Sequence, residues 1–153
     1  MEIRQLTDST EKQAVTRLIL EALPEWFGIP EAREEYIREG AGRIFFCAYD
    51  RNRPVGFLYL KETGNATVEL YVMGIRKEYH RQGIGRLLFR QAREAASGAG
   101  YAFMQVKTVQ MGKYEEYDRT NRFYLALGFR EFEVFPTLWD EGNPCQVYVM
   151  SLE

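Results

Sequence analysis

The segment Tyr79-His80-Arg81-Gln82-Gly83-Ile84-Gly85-Arg86 stands between a run with strand spacing and a run with helix spacing. Glycine at 83 and 85 removes side chains where a backbone has to come close to a ligand. The first amides of the following helix have no intrahelical partner, and the helix dipole adds partial positive charge. Such a terminus binds phosphate, and Arg81 and Arg86 add formal charge beside it. On two glycines alone, a plain strand-to-helix turn explains the segment equally well. Two nucleotide-binding patterns are excluded. A dinucleotide fingerprint needs a third small residue where Leu88 stands, and an acidic residue where Thr108-Val109-Gln110 stand. A P-loop needs Gly-Lys followed by Ser or Thr, and the chain has no such triplet.

Other reactive side chains are scarce. One histidine, His80, and two cysteines, Cys47 and Cys145, make no zinc-ligand spacing and no disulfide framework. A nucleophilic Cys145 would have only His80 for an imidazole partner, and His80 itself reads as a solvated or capping side chain. Twenty Lys and Arg against 22 Asp and Glu leave a formal charge of −2, which argues against a broad grip on nucleic acid. No apolar run approaches the roughly 18–20 residues of a membrane helix. Met1–Gln5 lacks a signal-peptide core, so a cytoplasmic location is expected. With 46% hydrophobic and 27% charged residues, the 153-residue chain has the composition of one folded domain. Such a protein has to borrow its reactive chemistry from a cofactor or substrate.

The elements that must position the loop follow from periodicity. Glu2–Thr7 reads as a strand. Asp8 and Glu11 form a variant capping box for a helix carrying Ala14, Val15, Leu18, Ile19 and Ala22, closed by Pro24. A second helix is expected from Pro30 to Arg38, ending at Gly40. Arg43–Tyr49 and Val55–Lys61 flank a polar turn and read as a hairpin. Thr67–Ile75 alternates, with Val68, Leu70 and Val72 on one side and Glu69, Tyr71 and Met73 on the other. After the glycine loop, Ile84, Leu87, Leu88, Ala92 and Ala95 mark a helix closed by Gly98-Ala99-Gly100, and Tyr101–Val109 follows as a strand. Strand, helix and strand with short joints make a right-handed parallel βαβ unit. Tyr114–Leu127 is a helix stopped by Gly128, and Phe129–Phe135 and Gln146–Leu152 are strands around a loop at Pro136–Cys145. The expected fold is α/β: a mixed, mostly antiparallel sheet flanked by helices, with the parallel βαβ unit at its centre.

The loop, this order of elements and Phe123-Tyr124-Leu125-Ala126-Leu127-Gly128-Phe129 together resemble the GNAT family of N-acetyltransferases, across nearly the whole chain. That family carries Arg/Gln-x-x-Gly-x-Gly/Ala at this junction and Phe-Tyr-x-x-x-Gly-Phe at the later helix end. The resemblance implies that main-chain amides at about Gln82, Gly83, Ile84, Gly85 and Arg86, with Arg81 beside them, hold the pyrophosphate of acetyl-CoA. It implies that the main chain of Met73-Gly74-Ile75 pairs with the pantetheine arm, with an N–H near Ile75 facing the thioester oxygen. Two positions depart from the pattern: His80 stands where the family has Arg or Gln, and Tyr117 where it often has an asparagine contacting the cofactor.

Acetyl transfer to an amine needs a deprotonated nucleophile, a stabilised oxyanion and a proton for the departing thiolate. Glu69 lies eleven residues before His80, the spacing of the general-base glutamate in histone-acetylating members of the resembled family. By its residue type alone it reads equally as a solvent-facing strand carboxylate. Tyr124 matches the family's tyrosine and can donate to the leaving sulfur, whereas periodicity alone favours a core aromatic on an amphipathic helix. Trp26 and Phe27, between the first two helices, and Trp139, in the expected loop, are candidate acceptor-binding residues. With Glu25, Asp140 and Glu141 nearby they would suit a cationic or amphipathic amine, although ordinary packing explains them as well. The expected partners are a small-molecule or peptide amine, with no nucleic acid, membrane or metal, and the chain is expected to be a monomer or homodimer. Two alternatives are a non-catalytic acyl-CoA-binding module and a transferase of longer acyl groups.

Overall fold

The computed structural model describes residues 1–153. Seven strands and four helices alternate along the chain: β1 Glu2–Leu6, α1 Ser9–Glu21, α2 Pro30–Gly40, β2 Ile44–Asp50, β3 Arg53–Glu62, β4 Thr67–Ile75, α3 Ile84–Gly98, β5 Phe103–Val109, α4 Glu115–Leu127, β6 Arg130–Asp140 and β7 Asn143–Ser151. The sheet order is β1-β2-β3-β4-β5-β7-β6, and β4–β5 is its only parallel pair.

Local chemistry sets the boundaries. Asp8 accepts the Glu11 amide at 2.8 Å and caps α1, as the variant capping box predicts. The β2–β3 turn is tighter than the sequence suggests. Arg51 and Asn52 both take positive φ, and Asp50 pairs directly with Arg53, the geometry of a two-residue hairpin turn. Gly128, at φ 105°, closes α4. No helix is long and apolar enough to cross a membrane.

Two expectations need correction. The stretch Pro136–Cys145 is not a long loop: β6 runs on to Asp140, β7 starts at Asn143, and Asp140 pairs with Asn143. The turn is made by Asp140, whose side chain accepts from the Gly142 amide and the Asn143 side chain. The simple alternation of β4 also fails. Tyr59 of β3 pairs with Val72 while Leu60 pairs with Leu70, so Tyr71 is the extra residue of a β-bulge. A bulge reverses the alternation beyond it. Val68 and Leu70 therefore enter the core under α3 and α4, whereas Val72 enters the core under α1 and α2, and Met73 packs back against the first.

The feature that matters most is where β4 and β5 part. They pair only from Thr67 with Phe103 to Glu69 with Gln105. Beyond that, β4 continues to Ile75 and β5 to Val109 without a shared ladder, opening a wedge in the middle of the sheet.

Candidate active site

The wedge leads into a cleft of about 1460 Å³ bounded by β4, β5, the loop before α3, α4, the α1–α2 connection and the tip of the β6–β7 hairpin. At one end, β4 gives way to a short turn at Lys77–Tyr79, then to His80, Arg81 and Gln82. Gly83 caps α3 in the left-handed region at φ 80°, with no side-chain cap, and its carbonyl accepts the Leu87 amide. The amides of Ile84, Gly85 and Arg86 thus precede the first intrahelical bond. Arg81 and Arg86 are exposed beside them, so the end of α3 presents donors and positive charge together. The Gln82 side chain is tied back to the Glu78 carbonyl at 3.1 Å, and Gln82, unlike Arg81, Gly83, Ile84, Gly85 and Arg86, is not part of the cleft lining.

The two glycines do different work. Gly83 has open space where a Cβ would sit and is needed for its positive φ. Gly85 has no room for a side chain. A Cβ there would lie 2.8 Å from Phe123 Cζ, 2.9 Å from Met73 Cε and 3.2 Å from Ile75 Cδ1.

Met73 and Ile75 line the cleft. The Arg76 amide donates to Val55 on β3, so by strand alternation Ile75, one residue earlier, turns its main-chain groups toward the wedge. His80 Nε2 lies 2.7 Å from the Ile75 carbonyl oxygen, and its ring packs edge-on against Trp26 at 5.9 Å between centroids. His80 stays exposed, as a solvated or capping side chain would, and its contacts brace the end of β4 against Trp26.

Glu69 is 4% exposed, contrary to the solvent-facing alternative, because the strands have not yet separated at its position. Its Oε1 accepts from Lys107 Nζ at 3.0 Å. Burial pushes its carboxyl above the usual carboxylate range, and the Lys107 ammonium opposes that rise. Tyr124 is buried on α4 and also lines the cleft. Burial first, then the fields of Glu69 and Tyr117, pushes its phenol well above the ordinary tyrosine range, so it stays protonated. Burial also pushes the thiols up, Cys145 to about 11 and Cys47 to about 12.

Trp26, Phe27 and Trp139 all reach the cleft, Trp139 from the hairpin tip and largely exposed. The acids expected beside them do not serve it. Glu25 is ion-paired with Lys77, Asp140 is spent on the hairpin turn, and Glu141 lies outside the lining. Sequence reading missed Lys107, Tyr36 and Tyr71, and took Tyr117 only as a departure. All four face the cleft. The available signal was Lys107 itself, a lone cation in the apolar strand Val106–Val109.

A family model described as an acetyltransferase (GNAT) domain matches residues 41–131. The chain belongs to the GNAT acetyltransferase family. The match takes in β2 to the start of β6, and with it the wedge, the α3 terminus, Glu69 and Tyr124. Among solved structures, a protein assigned to this GNAT family from Desulfovibrio desulfuricans is 20% identical, with a TM-score of 0.80 and 99% of each chain covered. A ribosomal-protein-S18-alanine N-acetyltransferase from Escherichia coli is 15% identical, with a TM-score of 0.78 over 99% of this chain and 94% of that one. An aminoglycoside 6'-N-acetyltransferase complexed with coenzyme A is 18% identical, with a TM-score of 0.76 over 100% and 98%. At these identities the likeness is one of fold. A search of curated protein sequences finds no significant match.

Proposed function

We propose that this acetyltransferase moves the acetyl group of acetyl-CoA directly to a primary amine in a ternary complex, with residues 1–153 acting as one catalytic unit. The observation that carries the reading is the wedge: an anion-binding helix terminus at its mouth, with a buried carboxylate and a buried phenol inside. Acetyl-CoA fits these features chemically. The free amides of α3, with Arg81 and Arg86, suit its phosphates, and the unpaired edge of β4 suits its amide-bearing arm.

An alkyl ammonium, with a pKa near 10.4, is neutral to only about one part in a thousand at pH 7. Glu69, raised by burial, accepts the proton directly or through a water. The amine lone pair forms the C–N bond at the thioester carbon, and the main-chain N–H of Ile75 receives the developing oxyanion. The C–S bond then breaks, Tyr124 donates its proton to the sulfur, and the second amine proton is lost as the amide forms. Overall, one ammonium and one thioester give one amide, one thiol and one proton. Direct transfer is supported by the two cysteines, which burial keeps as thiols. Calorimetry with acetyl-CoA, together with release of free thiol across a panel of amines, tests the proposal. Tight acetyl-CoA binding without turnover of any amine would replace it with a non-catalytic binding module.

A further inference from the structure

The acceptor end of the cleft is walled by aromatic rings. Phe27 meets Tyr36 edge-on at 6.0 Å and 87°, and Tyr36 meets Tyr71 at 6.0 Å and 80°. Tyr117 approaches from α4 and Trp139 from the hairpin. These rings are held in place. The Tyr59 hydroxyl donates to the Tyr36 carbonyl at 2.8 Å and fixes α2 against the sheet. The bulge turns Tyr71 and Val72 toward the same side as Glu69.

The charges at this end are already answered by the protein. Glu69 holds Lys107 and Glu25 holds Lys77. Asp140 is bonded within its turn. The cation seat over Tyr71 is filled by Lys61, 4.5 Å from the ring centre and paired with Glu39 at 2.6 Å. Among the carboxylates lining the cleft, Glu69 bonds Lys107 through Oε1 alone and keeps Oε2 for the reacting nitrogen, which leaves only Glu116 without a bonded partner for any further ammonium. A polycation placed here would bury several ammonium groups against one available carboxylate, and unpaired buried charge is costly. A single amine on a flat apolar body meets no such cost, and it gains ring-on-ring contact with Phe27, Tyr36 and Tyr71.

We propose that the acceptor is a primary monoamine carried on an aromatic body, its ring among Phe27, Tyr36, Tyr71 and Tyr117 and its nitrogen directed at Glu69. The proposal rests on the acetyl-transfer reading and narrows it.

The test compares kcat/KM for 2-phenylethylamine, n-butylamine, spermidine, a kanamycin-type aminoglycoside and an alanine-initiated peptide, each with acetyl-CoA and free-thiol detection. The expected result is at least a tenfold preference for 2-phenylethylamine over n-butylamine, with spermidine and the aminoglycoside below both. Tyr36→Leu should narrow the phenylethylamine-to-butylamine ratio at least fivefold. Because both amines are assayed on the same protein, loss of folded enzyme cancels from that ratio. Preference for spermidine, the aminoglycoside or the peptide, or a phenylethylamine-to-butylamine ratio near one, would overturn this inference and leave acetyl transfer standing. Acetyl-CoA binding with no turnover of any amine would instead overturn the transfer reading, and this one with it.

Discussion

The two glycines of the α3 loop make a quantitative test, because the structure gives them opposite reasons for being glycine. At Gly83 the φ of 80° is the constraint and no atom lies within 4 Å of an added Cβ. Holding alanine in the left-handed region costs roughly 1–2 kcal/mol. Asparagine tolerates that region far better, so Gly83→Asn should recover most of what Gly83→Ala loses. At Gly85 the constraint is space, with Phe123 and Met73 atoms at 2.8 and 2.9 Å. Overpacking of this kind costs about 1–3 kcal/mol, partly offset by the roughly 1 kcal/mol better helix propensity of alanine. Part of the clash falls on the flexible methyl end of Met73, which puts Gly85→Ala at a net loss of about 1 kcal/mol. For a protein of this size that lowers Tm by about 2–4 °C. Asparagine is larger still, so Gly85→Asn should fall further rather than recover. Met73, Ile75 and Phe123 all border the cleft, and their displacement should also weaken acetyl-CoA binding about tenfold. Scanning calorimetry on the four variants, with titration calorimetry for acetyl-CoA, reads both effects. If Gly85→Ala keeps wild-type Tm and affinity, or if asparagine rescues position 85 and not 83, the reasoning fails.

Three further outcomes are expected. Tyr124→Phe should lower kcat by about a hundredfold, the ordinary range for loss of a general acid, while the acetyl-CoA Kd from titration calorimetry stays put. Glu69 must be ionised to act, so activity should rise with pH through its raised pKa; Lys107→Met removes the charge opposing that rise and should move the acidic limb of the pH–kcat/KM profile upward. Glu69→Gln should abolish the limb, and with one acceptor used throughout, the amine's own titration cancels from the comparison. His80→Ala breaks the contact to the Ile75 carbonyl and to Trp26, and steady-state kinetics should show acceptor KM rising more than acetyl-CoA affinity falls.

The parts of the site that depend on short stretches of chain were readable. The loop Tyr79–Arg86, the Asp8 cap and the Gly128 stop each follow from a few adjacent residues, and each is in place. What escaped depends on contacts distant in sequence. Nothing in Val68-Glu69-Leu70-Tyr71-Val72-Met73 announces a bulge, because the extra residue exists only relative to the register of β3. Lys107 stands 38 residues after Glu69, and only the brief parallel pairing of β4 and β5 brings them together. The turn formers Pro136, Gly142, Asn143 and Pro144 around Trp139 read as a loop in the sequence. The chain instead tolerates Pro136 on the edge strand β6, in the irregular stretch between Phe135 and Asp140, and Pro144 near the start of β7, just beyond the end of its pairing with β5, where neither removes a ladder bond.

The parting of β4 from β5 has a consequence for how the molecule avoids misassembly. Every open sheet has two outer edges whose unpaired amides and carbonyls invite other chains, and here they belong to β1 and β6. The wedge adds two inner edges, one along β4 beyond Glu69 and one along β5 beyond Gln105, both inside the sheet and flanked by α3 and α4. These inner edges lie within the cleft rather than along the outer rim of the sheet, so a strand already bound into another sheet would have to pass the flanking helices to reach them. The protein thus keeps unpaired strand edges away from its outer rim, where they would invite aggregation. Hydrogen exchange along β4 beyond Leu70 should accordingly be the most sensitive reporter of whether the wedge is filled.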